Sequence, residues 1–371
     1  MSFPYADFDE TGAEITGTDG NIVLKAGTDG QCSSFLATDE TNKDLTFFSD
    51  IKMKTTGGTI TKNVLIGTTQ TIAEASVEAV VIGNDNTLTA GNKNIIIGDG
   101  STITAGNDVI VIGTDVVGRG TASINIGKDS GTTSYENTET INLGINSGSG
   151  SNSTQSIHIG KNAGQTQTSA LHNRVLIGSS AGQTNCGAES IAIGLEALNT
   201  GAGDRSISIG KEAGKTNAAV DSVFVGQFAG SVSSSVGTIG IGKNAGRSVD
   251  SNSTNCICIG QEAGNTIGSG RSNVICIGQE AGYNAPKLNS VNIGRRAGYQ
   301  NCGGKNINIG ELAGFNNGSN AGVIVLNATG ANLNADGANR FFVKPVRNQS
   351  DLTGLEALWY NPTTGEITYH T

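Results

Sequence analysis

The chain is poor in aromatic rings, proline, histidine and positive charge. Tryptophan occurs once, phenylalanine ten times, and aromatic residues make up 5% of 371 positions. That is too little bulk for broad layered cores. Four prolines exclude a polyproline stalk, and glycine does not recur at every third residue, which excludes collagen. A formal net charge of -9 and a pI near 4.9 argue against a clustered basic face, so nucleic acid is not an expected partner. No run approaches the roughly 18 apolar residues of a membrane helix, and no membrane insertion is expected. The opening Met1-Ser-Phe-Pro-Tyr-Ala-Asp7 lacks a charged n-region and an apolar h-region, which predicts a soluble chain without an ordinary export signal. Six cysteines, at 32, 186, 256, 258, 276 and 302, are irregularly spaced and read mostly as small buried hydrophobes.

Glycine is what the chain has in quantity: 55 residues, about twice the roughly 7% share of ordinary proteins. It is organised by a repeat. The element is apolar-x-apolar-Gly, as in Val64-Leu65-Ile66-Gly67, Ile157-His158-Ile159-Gly160 and Ile307-Asn308-Ile309-Gly310. Sixteen such glycines stand at 67, 83, 98, 113, 127, 144, 160, 178, 194, 210, 226, 242, 260, 278, 294 and 310, and a seventeenth copy carries Asn327 instead. Alternating β-branched residues closed by glycine predict a short strand and a sharp corner. The 16-residue period suits one turn of a β-solenoid and is too short for a helix-pair repeat. From Gly127 on, the corner reads Gly-x-x-Ala-Gly, with Ser130 and Ser147 in the alanine place of the first two and Leu198 in one glycine place, as at Gly160, Ala163 and Gly164, at Gly178, Ala181 and Gly182, at Gly210, Ala213 and Gly214, and at Gly294, Ala297 and Gly298. Alanine fits a tight inward corner, and glycine accepts positive φ and lets coils approach. Earlier coils carry Thr87-Leu88-Thr89 and Thr102-Ile103-Thr104, an alternating second strand. Seventeen coils at ~4.8 Å would form a rod of roughly 80 Å.

The residue between the two apolar positions should point to the opposite side of the sheet from its neighbours. With the flanking pair taken as core, this column faces outward: Leu65, Val81, Ile96, Val111, Asn125, Asn142, His158, Leu176, Ala192, Ser208, Phe224, Gly240, Cys258, Cys276, Asn292, Asn308 and Val325. So apolar a stripe would be an aggregation hazard on a monomer. It is therefore expected to lie on the axis of an oligomer, with Asn, Ser and His layers fixing register.

These strand and corner motifs, over about residues 64 to 327, resemble the head repeats of trimeric autotransporter adhesins, the YadA-like heads. The resemblance implies a homotrimer and a left-handed parallel β-roll. The chain differs from those adhesins in lacking an export signal, a heptad stalk and a membrane barrel. Its end, Asn339 to Arg347 and then Leu358-Trp359-Tyr360-Asn361-Pro362-Thr363-Thr364-Gly365-Glu366-Ile367, reads as strands around an Asn-Pro-Thr-Thr-Gly turn. That segment resembles the neck preceding the endosialidase-type intramolecular chaperone of phage tail fibres and fibre-like viral proteins. In that family the chaperone aids trimerisation and then cuts itself off, which would make this chain a mature or truncated product. The expected organisation is an N-terminal β cap or attachment module (1–60), the roll (61–330) and a β neck for trimerisation (331–371), all of it all-β.

Motifs that could carry chemistry are few. Gly242-Lys243-Asn244 nearly spells a phosphate loop but has Asn where Ser or Thr must meet Mg²⁺, and the same Gly-Lys recurs at other corners. His158 could meet its copies on a threefold axis and bind a metal, although a polar register layer is the simpler reading. Cys258 and Cys276 occupy equivalent places in adjacent coils and read as packed thiols rather than a disulfide. Glu196 with Glu212, and Glu262 with Glu280, could act as paired carboxylates of a glycan hydrolase, or form a solvated edge partnered by Lys211 or Arg271. An ice-binding face would need a longer Thr-x-Thr array than coils 87 and 102 begin. The expectation is a non-enzymatic viral or phage fibre without cofactor or metal, assembled in the host cytoplasm and displayed on the virion surface; the alternatives are a tailspike-like glycan hydrolase and a cellular trimeric adhesin head. Its partners would be sister chains, a virion or tail attachment protein, and a host glycan or protein receptor met by the turns near 165–173, 248–255 and 266–272.

Overall fold

The computed structural model describes residues 14–18, 21–25, 64–66, 69, 71–72, 76, 78–131, 138–150, 153–167, 171–216, 218–284, 286–300, 302–348 and 357–369. Two compact units divide the chain, Met1–Thr56 and Gly57–Thr371. The first contains an antiparallel hairpin of Glu14–Thr18 and Asn21–Lys25; the sequence offers Asn21 to Lys25 and Leu45 to Phe48 as short strands, and the former is the second strand of this hairpin. The other expected strand, Leu45 to Phe48, lies outside the described residues.

The second unit is an all-β parallel solenoid with no helix among its described residues. Eighteen short strands, from Val64–Ile66 to Phe341–Lys344, pair in parallel, each with its neighbours one coil before and one coil after. Register is exact to the residue: Asn142 faces Asn125 on one side and His158 on the other. The ladder continues beyond the expected limit at 330, because Phe341–Lys344 pairs with Ile324–Asn327.

The early coils have a second ladder, Thr71–Ile72, Thr87–Leu88, Thr102–Ile103 and Val117–Gly118, as their alternation predicts. Later coils mostly replace it with single bridges, such as Thr166 to Thr184 to Thr200 to Thr216. Short second ladders return at Ser153–Thr154 with Leu171–His172 and at Ser248–Val249 with Thr266–Ile267.

The corner explains the period. Ala163 N–H donates to the Gly160 carbonyl at 3.3 Å, and Asn162 between them has φ 59°, the geometry of a type II turn. Gly160 itself has φ 126°, and a methyl placed on it would lie 2.5 Å from the Gly178 carbonyl oxygen of the next coil. Only glycine permits that approach. The corner alanines, Ala163, Ala181, Ala213 and Ala297 among them, are fully buried. Past them the chain turns under the strand: a methyl on Gly164 would sit 3.0 Å from the His158 ring.

This turn decides which side of the strand is inside. The column assigned above to an oligomer axis is the interior of the coil. Val81, Ile96, Val111, Asn125, Asn142, His158, Leu176, Phe224, Cys258, Cys276, Asn292, Asn308 and Val325 are each 1% exposed or less within a single chain, and Leu65 stands in register with Val81. The expectation had the two faces reversed. The corner Ala and Gly close over the middle residue, so the flanking pair is turned outward.

Candidate functional site

Two features stand out: a polar ladder inside the coils and an aliphatic face outside them. Inside, Asn142 Nδ2 donates to Asn125 Oδ1 at 2.7 Å, and His158 Nδ1 donates to Asn142 Oδ1 at 2.7 Å. The amide oxygen can only accept, so the imidazole proton resides on Nδ1. His158 Nε2 and Asn125 Nδ2, at the two ends of this ladder, have no hydrogen-bond partner among the described residues. Burial, then the nearby Arg174 charge, lowers the His158 pKa well below 6.5. A second ladder runs from Asn317 Nδ2 to Asn308 Oδ1 and from Asn308 Nδ2 to Asn292 Oδ1. Being interior to one chain, neither ladder can meet its symmetry copies. A threefold His158 metal site is therefore excluded by position, whereas the register role survives as pairing between coils.

The interior thiols are packed, not catalytic. Cys186, Cys256, Cys258, Cys276 and Cys302 are free and buried, and Cys32 lies outside the described residues. Burial raises Cys186 and Cys256 to about 11 and Cys302 to about 12. A hydrogen bond with Cys276, together with burial, raises Cys258. Such thiols stay protonated at neutral pH and are poor nucleophiles.

Three of the four carboxylates, Glu196, Glu212 and Glu280, are engaged by cations. Lys215 Nζ lies 2.6 Å from Glu196 and 3.1 Å from Glu212. Lys211 also reaches Glu212, at 3.7 Å. Glu280 pairs with Arg296 at 2.8 Å rather than with Arg271. Glu196, Glu212, Glu262 and Glu280 occupy the turn position with φ of 55° to 61°. The Lys243-Asn244 corner is an ordinary one: Asn244, Ala245 and Gly246 N–H groups donate to Gln227, Gly242 and Ala263 carbonyls, leaving none of these amides to cradle a phosphate. The turns expected to meet a receptor are partly structural, since Gln167, Val249 and Ile267 are buried; Ser251, Asn252, Ser269 and Gly270 remain exposed.

Outside, every strand presents two side chains. The first column runs from Val64 through Ile157 and Ile257 to Phe341, and the second from Ile66 through Ile159 and Ile259 to Val343. All positions in both are Val, Ile, Leu or Phe, and no described side chain in them is buried. The interior column, by contrast, accepts Asn, Ser and His. The outer face is thus more strictly apolar than the core. It measures about 80 Å by about 7 Å from strand spacing and residue rise, near the upper end of the largest apolar patches on typical monomers.

A third feature was not anticipated. Tyr283, Tyr299 and Phe315 stack in consecutive coils, with centroids 5.1 and 5.0 Å apart and interplanar angles of 11° and 2°. Their signal was present as an aromatic residue directly after each corner glycine, 16 residues apart. The rings spend their faces on one another. Buried Arg174 had no such signal, standing where neighbouring coils have Ser156 and Ser190.

No protein-family model matches the chain, and no curated protein matches its sequence.

Proposed function

We propose that the chain is the rod of a homotrimeric fibre or spike of a virus or phage, a non-enzymatic structural protein that attaches the particle to a host-surface glycan or protein receptor. The observation that carries this reading is the outer face: two columns of apolar side chains, unbroken over eighteen coils, need a partner of the same length and repeat. Two further copies of the chain supply both. Three left-handed rolls would bring these faces together around a common axis, while the ion-paired corners and exposed loops stay in solvent. The repeat and neck resemblances favour three copies and a viral or phage setting, with either end available to a virion or tail attachment protein.

Function would follow from stiffness and multivalency. Three equivalent weak sites on one rod raise apparent affinity without any new contact. The test is native mass by light scattering, then binding to host-cell glycans and proteins. A mass near three times 37.7 kDa with saturable binding and no glycan turnover is expected. A stable monomer would remove the basis of the reading.

A further inference from the structure

At the C-terminal end of the second outer column the surface opens into a groove of about 510 Å³, lined mainly by Ile309, Leu326, Val343 and Pro345, with Lys344 at its edge. Ile309, Leu326 and Val343 are the last three members of that column. The groove is therefore continuous with the face proposed to pack against sister chains. Nothing among the described residues fills it: Ile309 remains 40% and Val343 39% exposed.

A second orphan lies close by in sequence. Leu358–Tyr360 and Ile367–Tyr369 form an antiparallel hairpin around Asn361 to Gly365, held by Asn361 Oδ1 accepting from the Thr363 and Thr364 N–H groups. Leu358, Trp359, Tyr360 and Ile367 are 74%, 64%, 65% and 58% exposed. An isolated two-stranded hairpin is marginally stable in water and needs an apolar surface to pack on.

We infer that the Leu358–Tyr360 hairpin of one copy docks in the groove at Ile309, Leu326 and Val343 of a neighbouring copy, latching the C-terminal end of the rod. The volume accommodates an indole and a leucine side chain. Lys344 on the rim and Glu366 on the hairpin supply opposite charge at the edge of the contact. The occupant is a second copy, because the groove belongs to the face that the sister chain covers. This inference rests on the assembly reading above.

Trp359 is the chain's only tryptophan, so intrinsic fluorescence reports this contact alone. The full-length protein is measured for acrylamide quenching and, in parallel, for mass by light scattering. A trimer whose Trp359 is shielded, with severalfold stronger quenching in Val343→Gln at unchanged mass, is the expected result. A trimer whose Trp359 quenches like a free indole overturns the docking and leaves the assembly intact. A monomer overturns both. Should Val343→Gln fail to assemble, the double variant Val343→Cys, Trp359→Cys decides after mild oxidation and denaturing electrophoresis. Cross-linked chains support docking between copies, and a bridge confined to single chains, or none, overturns it.

Discussion

A single buried ring links the stability of the coils to pH near neutrality. His158 is neutral at pH 7 because burial, and then Arg174, lower its pKa well below 6.5. In the unfolded chain it titrates near 6.5, so the unfolded state gains the proton first. Stability conferred by this group is full above about pH 6.5 and is lost as pH falls toward the folded value. His158→Asn keeps a donor for Asn142 Oδ1 and removes the titration. It should melt lower than wild type at pH 7, through lost packing, yet show a shallower decline of Tm between pH 7 and 5. Equal slopes would rule the ring out. Backbone conformation gives a second residue-scale prediction. Glu262 has φ 61°, where the equivalent positions in other coils hold Asn146, Asn162 and Asn244. Asn tolerates the left-handed region better than Glu, and Glu262→Asn also removes a like charge one coil from Glu280. A gain of about 0.5–1 kcal/mol in chemical denaturation is expected, a part of the left-handed penalty that Asn relieves.

Corners and strands divide the work at the scale of the element. The strand alone is three residues long, too short to persist unaided, and its stability comes from in-register neighbours above and below. The corner sets where the next strand begins. Gly178 has φ 132°, and a methyl there would lie 2.4 Å from the Gly194 carbonyl oxygen, a backbone atom that cannot rotate away. Gly178→Ala should cost at least about 2 kcal/mol through overpacking and strain. Gly318 has φ 59° but nothing within 4 Å of such a methyl, so Gly318→Ala should cost about 1 kcal/mol, the left-handed penalty alone. Denaturation midpoints of the two variants test whether the corner glycine, through its more extended positive φ and the coil-to-coil approach together, is under a stronger demand than a left-handed glycine in an open turn. Equal losses would refute it.

Across the whole molecule, inside and outside respond differently to substitution. Phe224 is fully buried, and its ring lies 3.0 Å from where a methyl on Gly240 would stand. Phe224→Ala should cost about 3–5 kcal/mol and disrupt the coils around it. Ile241, 40% exposed on the outer face, should behave otherwise. Ile241→Glu leaves the coil interior untouched and places charge in the proposed interface. Its far-UV circular dichroism should match wild type while the mass by light scattering falls toward that of one chain. Retention of full mass would mean that this face is not the contact between copies.

The sequence by itself determined the all-β class, the coil length, the parallel stacking of Ile-x-Ile strands, the second strand at Thr87 and Thr102, and the Gly-x-x-Ala-Gly corner. Each follows from local spacing, because a strand of period two and a turn needing positive φ are both written in consecutive residues. Only the tertiary structure decided that His158, Asn142 and Cys258 are interior and that the isoleucines beside them are outside. Alternation says that neighbours point to opposite faces, and it is symmetric about which face is core. With apolar residues on both, the choice falls to the direction in which the corner closes, and that is set by Ala163 and Gly164 folding beneath His158. The same closure aligned Tyr283, Tyr299 and Phe315, and left the column ending at Ile309, Leu326 and Val343 open to solvent.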